Sequence, residues 1–131
     1  YGIAYLKRAR GKQSITLDLK RPEGQALLAR LAAKADVVVE NFRPGVAARL
    51  GADYARLSRD NPGLVYCSLT GYGATGPDRD LKAYDLMAQA AAGLMGLSGE
   101  AGGPPAKAGS ALSDCVSGAY SALGILAALH E

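Results

Sequence analysis

The stretch Ala106-Lys-Ala-Gly-Ser-Ala-Leu-Ser-Asp114-Cys-Val-Ser-Gly118 sets one carboxylate between a Gly/Pro-rich loop and an apolar run of helical spacing. A carboxylate held there can attack an electrophilic acyl carbon. Covalent catalysis of that kind splits one difficult transfer into easier steps. Read alone, Asp114 is an ordinary helix N-cap, because Asp accepts the unpaired amides of a first turn. Its meaning changes with three earlier segments, residues 14–20, 40–51 and 71–85.

Other chemistries are poorly supplied. Two cysteines, Cys67 and Cys115, lie far apart, and His130 is the one histidine, so no metal site is expected. Thiols used so sparingly fit a reducing compartment, and a cytoplasmic location is expected. Gly71-Tyr-Gly73 with Gly76 loosely resembles a phosphate cradle but lacks the following GK[ST] of a P-loop. The net charge of +3 is modest, and Lys and Arg cluster between Lys7 and Lys20. That cluster suits a phosphorylated ligand. It holds no interleaved aromatic residues, so nucleic acid is not an expected partner. No apolar run is expected to reach the roughly 20 residues that span a bilayer, and neither a membrane partner nor a signal peptide is predicted. Tyr1 is not a start Met, and the last residues still read as helix with no stop signal. An internal piece of a longer polypeptide is therefore expected.

The elements that must position Asp114 follow from hydrophobic periodicity. Ser14-Ile-Thr-Leu-Asp-Leu-Lys20 alternates and predicts a strand. Pro22 suits a first helical position, Glu23 a first turn, and Leu27, Leu28 and Leu31 form a helical stripe. Ala35-Asp-Val-Val-Val-Glu40 predicts a strand buried on both faces, completing a βαβ unit. Asn41-Phe-Arg-Pro-Gly45 turns into a short helix over 46–50 that Gly51 ends, and a helical turn follows over 54–59. After the breaker Asn61-Pro-Gly63, Leu64-Val-Tyr-Cys-Ser-Leu69 predicts a second buried strand. The loop 70–77 leaves the carboxyl end of that strand, where open parallel sheets bind ligands. Helices are predicted over 84–97 and 119–129, with a loop over 98–109.

Taken in order, Ser14–Lys20 as quoted, Ala35-Asp-Val-Val-Val-Glu-Asn-Phe-Arg-Pro-Gly45, Asn61-Pro62, Ser68-Leu-Thr-Gly-Tyr-Gly73, Thr75-Gly-Pro77 and Tyr84-Asp85 resemble the class III coenzyme A transferases. This is the family of formyl-CoA transferase and the carnitine and bile-acid CoA transferases, the CaiB/BaiF type. The resemblance runs over nearly the whole chain. It implies an α/β fold: a Rossmann-like large domain, with a parallel sheet and flanking helices, in an interlocked homodimer. Residues 1–131 would be the central part of that CoA-binding domain, with the first βα unit and the small domain outside it.

The resemblance also implies roles. Asp114 matches the catalytic nucleophile. Leu17, Asp18, Leu19 and Lys20 match a strand end lining the adenosine site of CoA. Asn41, Phe42 and Arg43 match a second CoA-contacting turn, and Arg49 a basic residue near the nucleotide phosphates. Lys82, Ala83, Tyr84 and Asp85 match a segment near the thioester. Ala9 stands where many relatives carry Asn. No tightly bound cofactor is implied; coenzyme A enters as the acyl-CoA substrate, with a small carboxylic acid as its partner.

The chemistry itself is simple. The carboxylate attacks the thioester carbonyl, giving a mixed anhydride and CoA thiolate. The thiolate returns to the aspartyl carbonyl, leaving an aspartyl-CoA thioester and a free acid. A second acid then takes CoA by the reverse route. Oxyanion stabilisation must come from amides near Asp114 or from a neighbouring loop.

Two alternatives stand beside this reading. The same fold carries 2-methylacyl-CoA racemases, which need a base on each face of the reacting carbon. Those relatives place a His-Asp pair where this chain has Tyr84-Asp85, and a phenol is a poor base at neutral pH. The other alternative is a catalytically silent assembly fragment. Read without the family pattern, Arg49 is a surface helix charge, Lys20 a solvated strand end and Asn41 a turn former.

Overall fold

A computed structural model describes residues 2–131 and, within them, every side chain except those of Ala4 and Lys7. Lys7 of the basic cluster thus lies outside the described side chains. The architecture is α/β. Strand β1 (Val37–Glu40) pairs in parallel with β2 (Val65–Ser68), in the register Val37 to Val65 through Glu40 to Ser68. Around them lie α1 (Ile3–Ala9), α2 (Pro22–Ala32), α3 (Val46–Arg49), α4 (Tyr54–Leu57), α5 (Asp85–Ala91) and α6 (Leu112–His130).

Pro22 opens α2 as expected, with Glu23 in its first turn and Arg30 in its last. Those charges complement the helix dipole. A Cβ on Gly24 would fall 2.1 Å from the Asp18 carbonyl oxygen, so the start of α2 can lie against the 18–21 turn only with glycine there. The helix ends on a side-chain clamp. Asn61 Nδ2 donates to Ala32 O at 3.1 Å, which also accepts the Ala35 amide, and to Ala35 O at 2.8 Å just past the helix end. Ala32, Leu57 and Leu64 form the core, with Leu28, Ala29, Val38 and Tyr66 packed on it.

The expected strand over 14–20 is not one. Residues 12–18 have no regular structure, and Ile15 is 65% exposed. Alternation supplies a face but not a partner. Among the described residues the sheet holds β1 and β2 only, so this segment has no ladder to join. The crossover unit is therefore β1–α3–α4–β2 rather than one built on 14–20 and α2. The two strands are not buried on both faces either. Val38 and Tyr66, paired across the ladder, reach the core, whereas Val39 on the opposite face is 55% exposed. The core formed with α2 and α4 lies on one side, and a β-branched run cannot report which side.

The helices also differ in extent. The predicted helix 84–97 breaks at Gly93, whose φ of 76° leaves α5 and a separate 3-10 turn over Leu94–Leu97. Helix α1 is additional to the predicted elements. Helix α6 begins at Leu112 rather than 119, which puts Asp114 inside its first turn instead of before it. With 19 residues and a mean hydropathy of 1.4, α6 is long and apolar enough to cross a membrane by length and composition alone, contrary to expectation. None of its residues is buried.

Tyr66 ties the strand to the helical side. Its hydroxyl donates to Ala52 O at 2.8 Å, and its ring lies 6.0 Å from that of Tyr54. Burial, then the negative charges of Glu40 and Asp53, push its pKa from 10.0 up to about 12. A folded-state pKa above the unfolded one favours the fold while the phenol is protonated. That contribution is complete below about pH 10 and is lost as pH rises towards 12. Phenolate absorbance should show a late step in this window that Tyr66→Phe removes. Asn61→Ala leaves Ala35 O without its donor, while Ala32 O keeps the Ala35 amide, and should lower the unfolding free energy by about 1–3 kcal/mol, read as a lower denaturant midpoint.

Candidate functional site

Both strands end on the same side of the fold, and side chains lock their ends. Glu40 accepts the Phe42 amide on Oε2 at 2.6 Å and the Ser68 hydroxyl on Oε1, which bridges β1 to β2. Asn41 Nδ2 donates to Leu69 O at 2.7 Å, one residue beyond the ladder. The turn at 41–45 and the loop from 69 are thereby held side by side. Gly71 then meets Ala83, since a Cβ on Gly71 would fall 2.0 Å from the Ala83 Cβ.

Two adjoining clefts open from this junction. The first, of about 320 Å³, is walled by the turn Asn41-Phe-Arg-Pro44, by Leu69-Thr-Gly71 and by the segment Arg79–Tyr84. The second, of about 510 Å³, keeps Asn41, Leu69, Thr70, Gly71, Ala83 and Tyr84 and adds Asp85, Ala88, Ser113, Asp114, Ser117 and Gly118. The residues common to both make the two clefts one continuous surface.

The predicted site residues divide accordingly. Asn41, Phe42, Arg43, Lys82, Ala83 and Tyr84 line the first cleft, and Asp85 and Asp114 line the second. Leu17 and Asp18 belong to a separate recess beside Arg21 and Glu23. Leu19, Lys20 and Arg49 lie outside both clefts. Leu19 offers its carbonyl to Gln25 Nε2, and the Lys20 amide donates to Asp18 Oδ1. Within the first cleft, Arg79 pairs with Asp80 at 3.3 Å. Arg43 and Lys82 make no ion pair among the described residues and leave positive charge for an anionic ligand.

The two aspartates of the second cleft are differently employed. Asp85 Oδ1 accepts the Ser113 amide at 2.8 Å and the Asp114 amide at 3.3 Å. Its Oδ2 accepts Gln89 Nε2 at 2.7 Å. Asp85 is thus the cap of α6, supplied from α5, while the helix's own N-cap, Ala111, has no side chain for the task. The Leu112 amide turns to Ser110 O, and Cys115 N is the next amide bonded within the helix, to Ala111 O. The Asp114 carboxylate, by contrast, has no hydrogen-bond or ion-pair partner among the described residues, and it is exposed on the cleft wall. Its lone pairs are open to a reacting carbon. The amides of 112–114 are already committed, so an oxyanion formed here has to find donors on the opposite wall.

Residues missed from the sequence include Thr70, Ala88, Ser113 and Ser117 of the cleft wall, and Gln89 behind it. Gln89 is fully buried. Its signal is its spacing, because Asp85 and Gln89 stand four apart on a helix and so share a face.

Most of the chain is similar to proteins already characterised by name. It is 51% identical over 120 residues to the succinate–glutarate CoA-transferase of Agrobacterium fabrum, covering 92% of this chain and 30% of that protein. It is 40% identical over 127 residues to the human succinyl-CoA:glutarate CoA-transferase, covering 97% of this chain and 29% of that one. The chain therefore spans about 30% of the length of the curated relatives it matches. Its fold superposes on the crystal structure of a CaiB/BaiF family protein from Brucella suis with a TM-score of 0.88 at 47% identity, over 91% of this chain and 32% of that one. All of residues 1–131 match one family description, and the chain belongs to CoA-transferase family III.

Proposed function

We propose that this chain carries the reacting carboxylate and part of the coenzyme-binding wall of an enzyme that moves coenzyme A between an acyl-CoA thioester and a free carboxylic acid. The observation that carries the reading is the pairing of an unpartnered Asp114 carboxylate with an adjoining cleft whose cations, Arg43 and Lys82, are not neutralised by ion pairs among the described residues. A CoA ester has both halves of that complement: a phosphorylated nucleotide and an electrophilic thioester.

In this reading the phosphates lie towards Arg43 and Lys82, and the thioester carbonyl reaches Asp114. Attack by the carboxylate gives an aspartyl anhydride and CoA thiolate. The thiolate then attacks the aspartyl carbonyl and releases the first acid, leaving an aspartyl-CoA thioester. The incoming acid attacks that thioester, and the returning thiolate carries CoA to it. The Thr70 and Gly71 amides, which make no hydrogen bond among the described residues, are backbone donors for the oxyanion on the facing wall. Leu17, Asp18, Leu19, Lys20 and Arg49 serve the nucleotide only if the bound coenzyme extends beyond the two clefts. The chain would be the central part of the large domain of an interlocked, cytoplasmic homodimer, a location in keeping with two free thiols.

Racemase chemistry on this fold is less well supported. It needs a second base facing the reacting carbon, and the titratable groups beside Asp114 on the cleft wall are Tyr84 and Asp85. Both Asp85 oxygens are occupied by hydrogen bonds.

The test uses the full-length protein with a panel of acyl-CoA donors and carboxylic acids. Hydroxylamine should trap an activated acyl group on Asp114, read by peptide mass. Asp114→Ala should lower transfer by at least about 10³-fold, as loss of a covalent nucleophile does. Full transfer activity in that variant would overturn the mechanism. Deuterium uptake from buffer into the acyl-CoA, without transfer, would favour the racemase, and neither activity would favour a silent assembly piece. Lys82→Ala should raise the KM for acyl-CoA about 10-fold, the equivalent of one charge-assisted contact, with a smaller change in kcat.

A further inference from the structure

We propose that Gln89 is a positioning residue that works through Asp85 to fix the first turn of α6, and with it the Asp114 carboxylate; the inference rests on Asp114 being the nucleophile. Gln89 is the one polar residue among the described residues that is fully buried, at 0% exposure. An apolar side chain of similar size would fill that space without desolvating an amide. The amide is instead used completely. Its Nε2 donates to Asp85 Oδ2 at 2.7 Å and to Ser110 O at 3.3 Å, and its Oε1 accepts the Ala108 amide at 2.9 Å.

These bonds reach the two structures that define where α6 begins. Ala108 and Ser110 belong to the loop leading into the helix, and Asp85 holds the amides of Ser113 and Asp114. Asp85 and Gln89 lie one turn apart on α5, so a single rigid helix grips both the approach and the first turn. Gln89 also fixes the polarity of the clamp. With Oε1 held by an N–H donor, Nε2 must face Asp85, and Asp85 must present an acceptor to it. The Asp114 side chain projects from a backbone whose own amide is part of this chain of bonds. A displacement of about 1 Å at a reacting group can cost about 10²-fold in rate.

The experiment exchanges the two polar roles in the full-length protein. Asp85→Asn alone sets two NH2 groups against each other, and Gln89→Glu alone sets two carboxylates together. The double variant Asp85→Asn/Gln89→Glu restores one donor, one acceptor and one negative charge between positions 85 and 89, while Ser110 O loses the Gln89 amide and keeps that of Leu112. The amide then at position 85 still accepts from the α6 backbone and donates to the carboxylate at position 89, whose other oxygen accepts from Ala108. Each single change should lower kcat about 10- to 100-fold, with the KM for acyl-CoA within about 3-fold of the parent. The double variant should recover to within about 5-fold of the parent kcat, the coupling expected of directly bonded neighbours. Circular dichroism and a denaturation curve are recorded for each protein. Unfolded singles beside a folded, active double variant support the proposal. Singles with parental kcat overturn it, as does a double variant that is unfolded or no faster than the slower single. Hydroxylamine trapping on the unaltered protein separates the two ideas: no adduct at Asp114 removes the nucleophile itself, whereas an adduct without recovery in the double variant removes only the role of Gln89.

Discussion

A carboxylate that accepts hydrogen bonds from three donors cannot also be a free nucleophile. Asp85 is in that position, with two α6 amides on one oxygen and the Gln89 amide on the other. The bonds do two things at once. They satisfy the N-terminal donors of a helix whose own N-cap is an alanine, and they leave the neighbouring Asp114 as the carboxylate with open lone pairs. Two acidic residues on one cleft wall are thus distinguished by hydrogen bonding alone: Asp85 is tied into the fold, and the Asp114 carboxylate has no partner among the described residues.

The opposite wall is built in the same way. Glu40 commits its oxygens to the Phe42 amide and the Ser68 hydroxyl, and Asn41 commits its amide to Leu69 O. The side chains nearest the ends of β1 and β2 therefore hold backbone in place, while Arg43 and Lys82, slightly farther out along the chain, carry charge with no ion-pair partner among the described residues. Asn41 lines both clefts, but the contact it makes within the protein is the cross-link between the strand ends. The plain reading of Asn41 as a turn former and the family reading of it as a ligand contact are compatible, because its Oδ1 stays available.

Much of this was legible in the sequence, and the limits have physical causes. The motif Asn-Phe-Arg-Pro-Gly and the segment 82–85 announced the cleft, because turns at the carboxyl ends of parallel strands are where such sites form. The Pro22 start of α2 and the Gly51 stop after α3 followed from local rules, whereas the parallel sheet was implied by the family resemblance. The segment 14–20 did not, because alternation marks a face and cannot supply a neighbour to bond with. The start of α6 was misplaced by seven residues, since its cap lies 28 positions away on another helix and leaves no mark beside Leu112. Gln89 was overlooked for the same reason: a buried amide is explained by its partners, and those are known only after folding.

The close approach of Gly71 to Ala83 has a consequence for how this scaffold can diversify. With the hypothetical Cβ at 2.0 Å from a neighbouring methyl, the floor between the clefts has no room for even the smallest side chain. A lineage adapting these clefts to a bulkier or slimmer ligand could not begin by decorating position 71, because the two walls would be prised apart before any new selectivity was gained. Variation is channelled instead to the rim, where Tyr84 stands largely in solvent and can be exchanged without disturbing the joint beneath it.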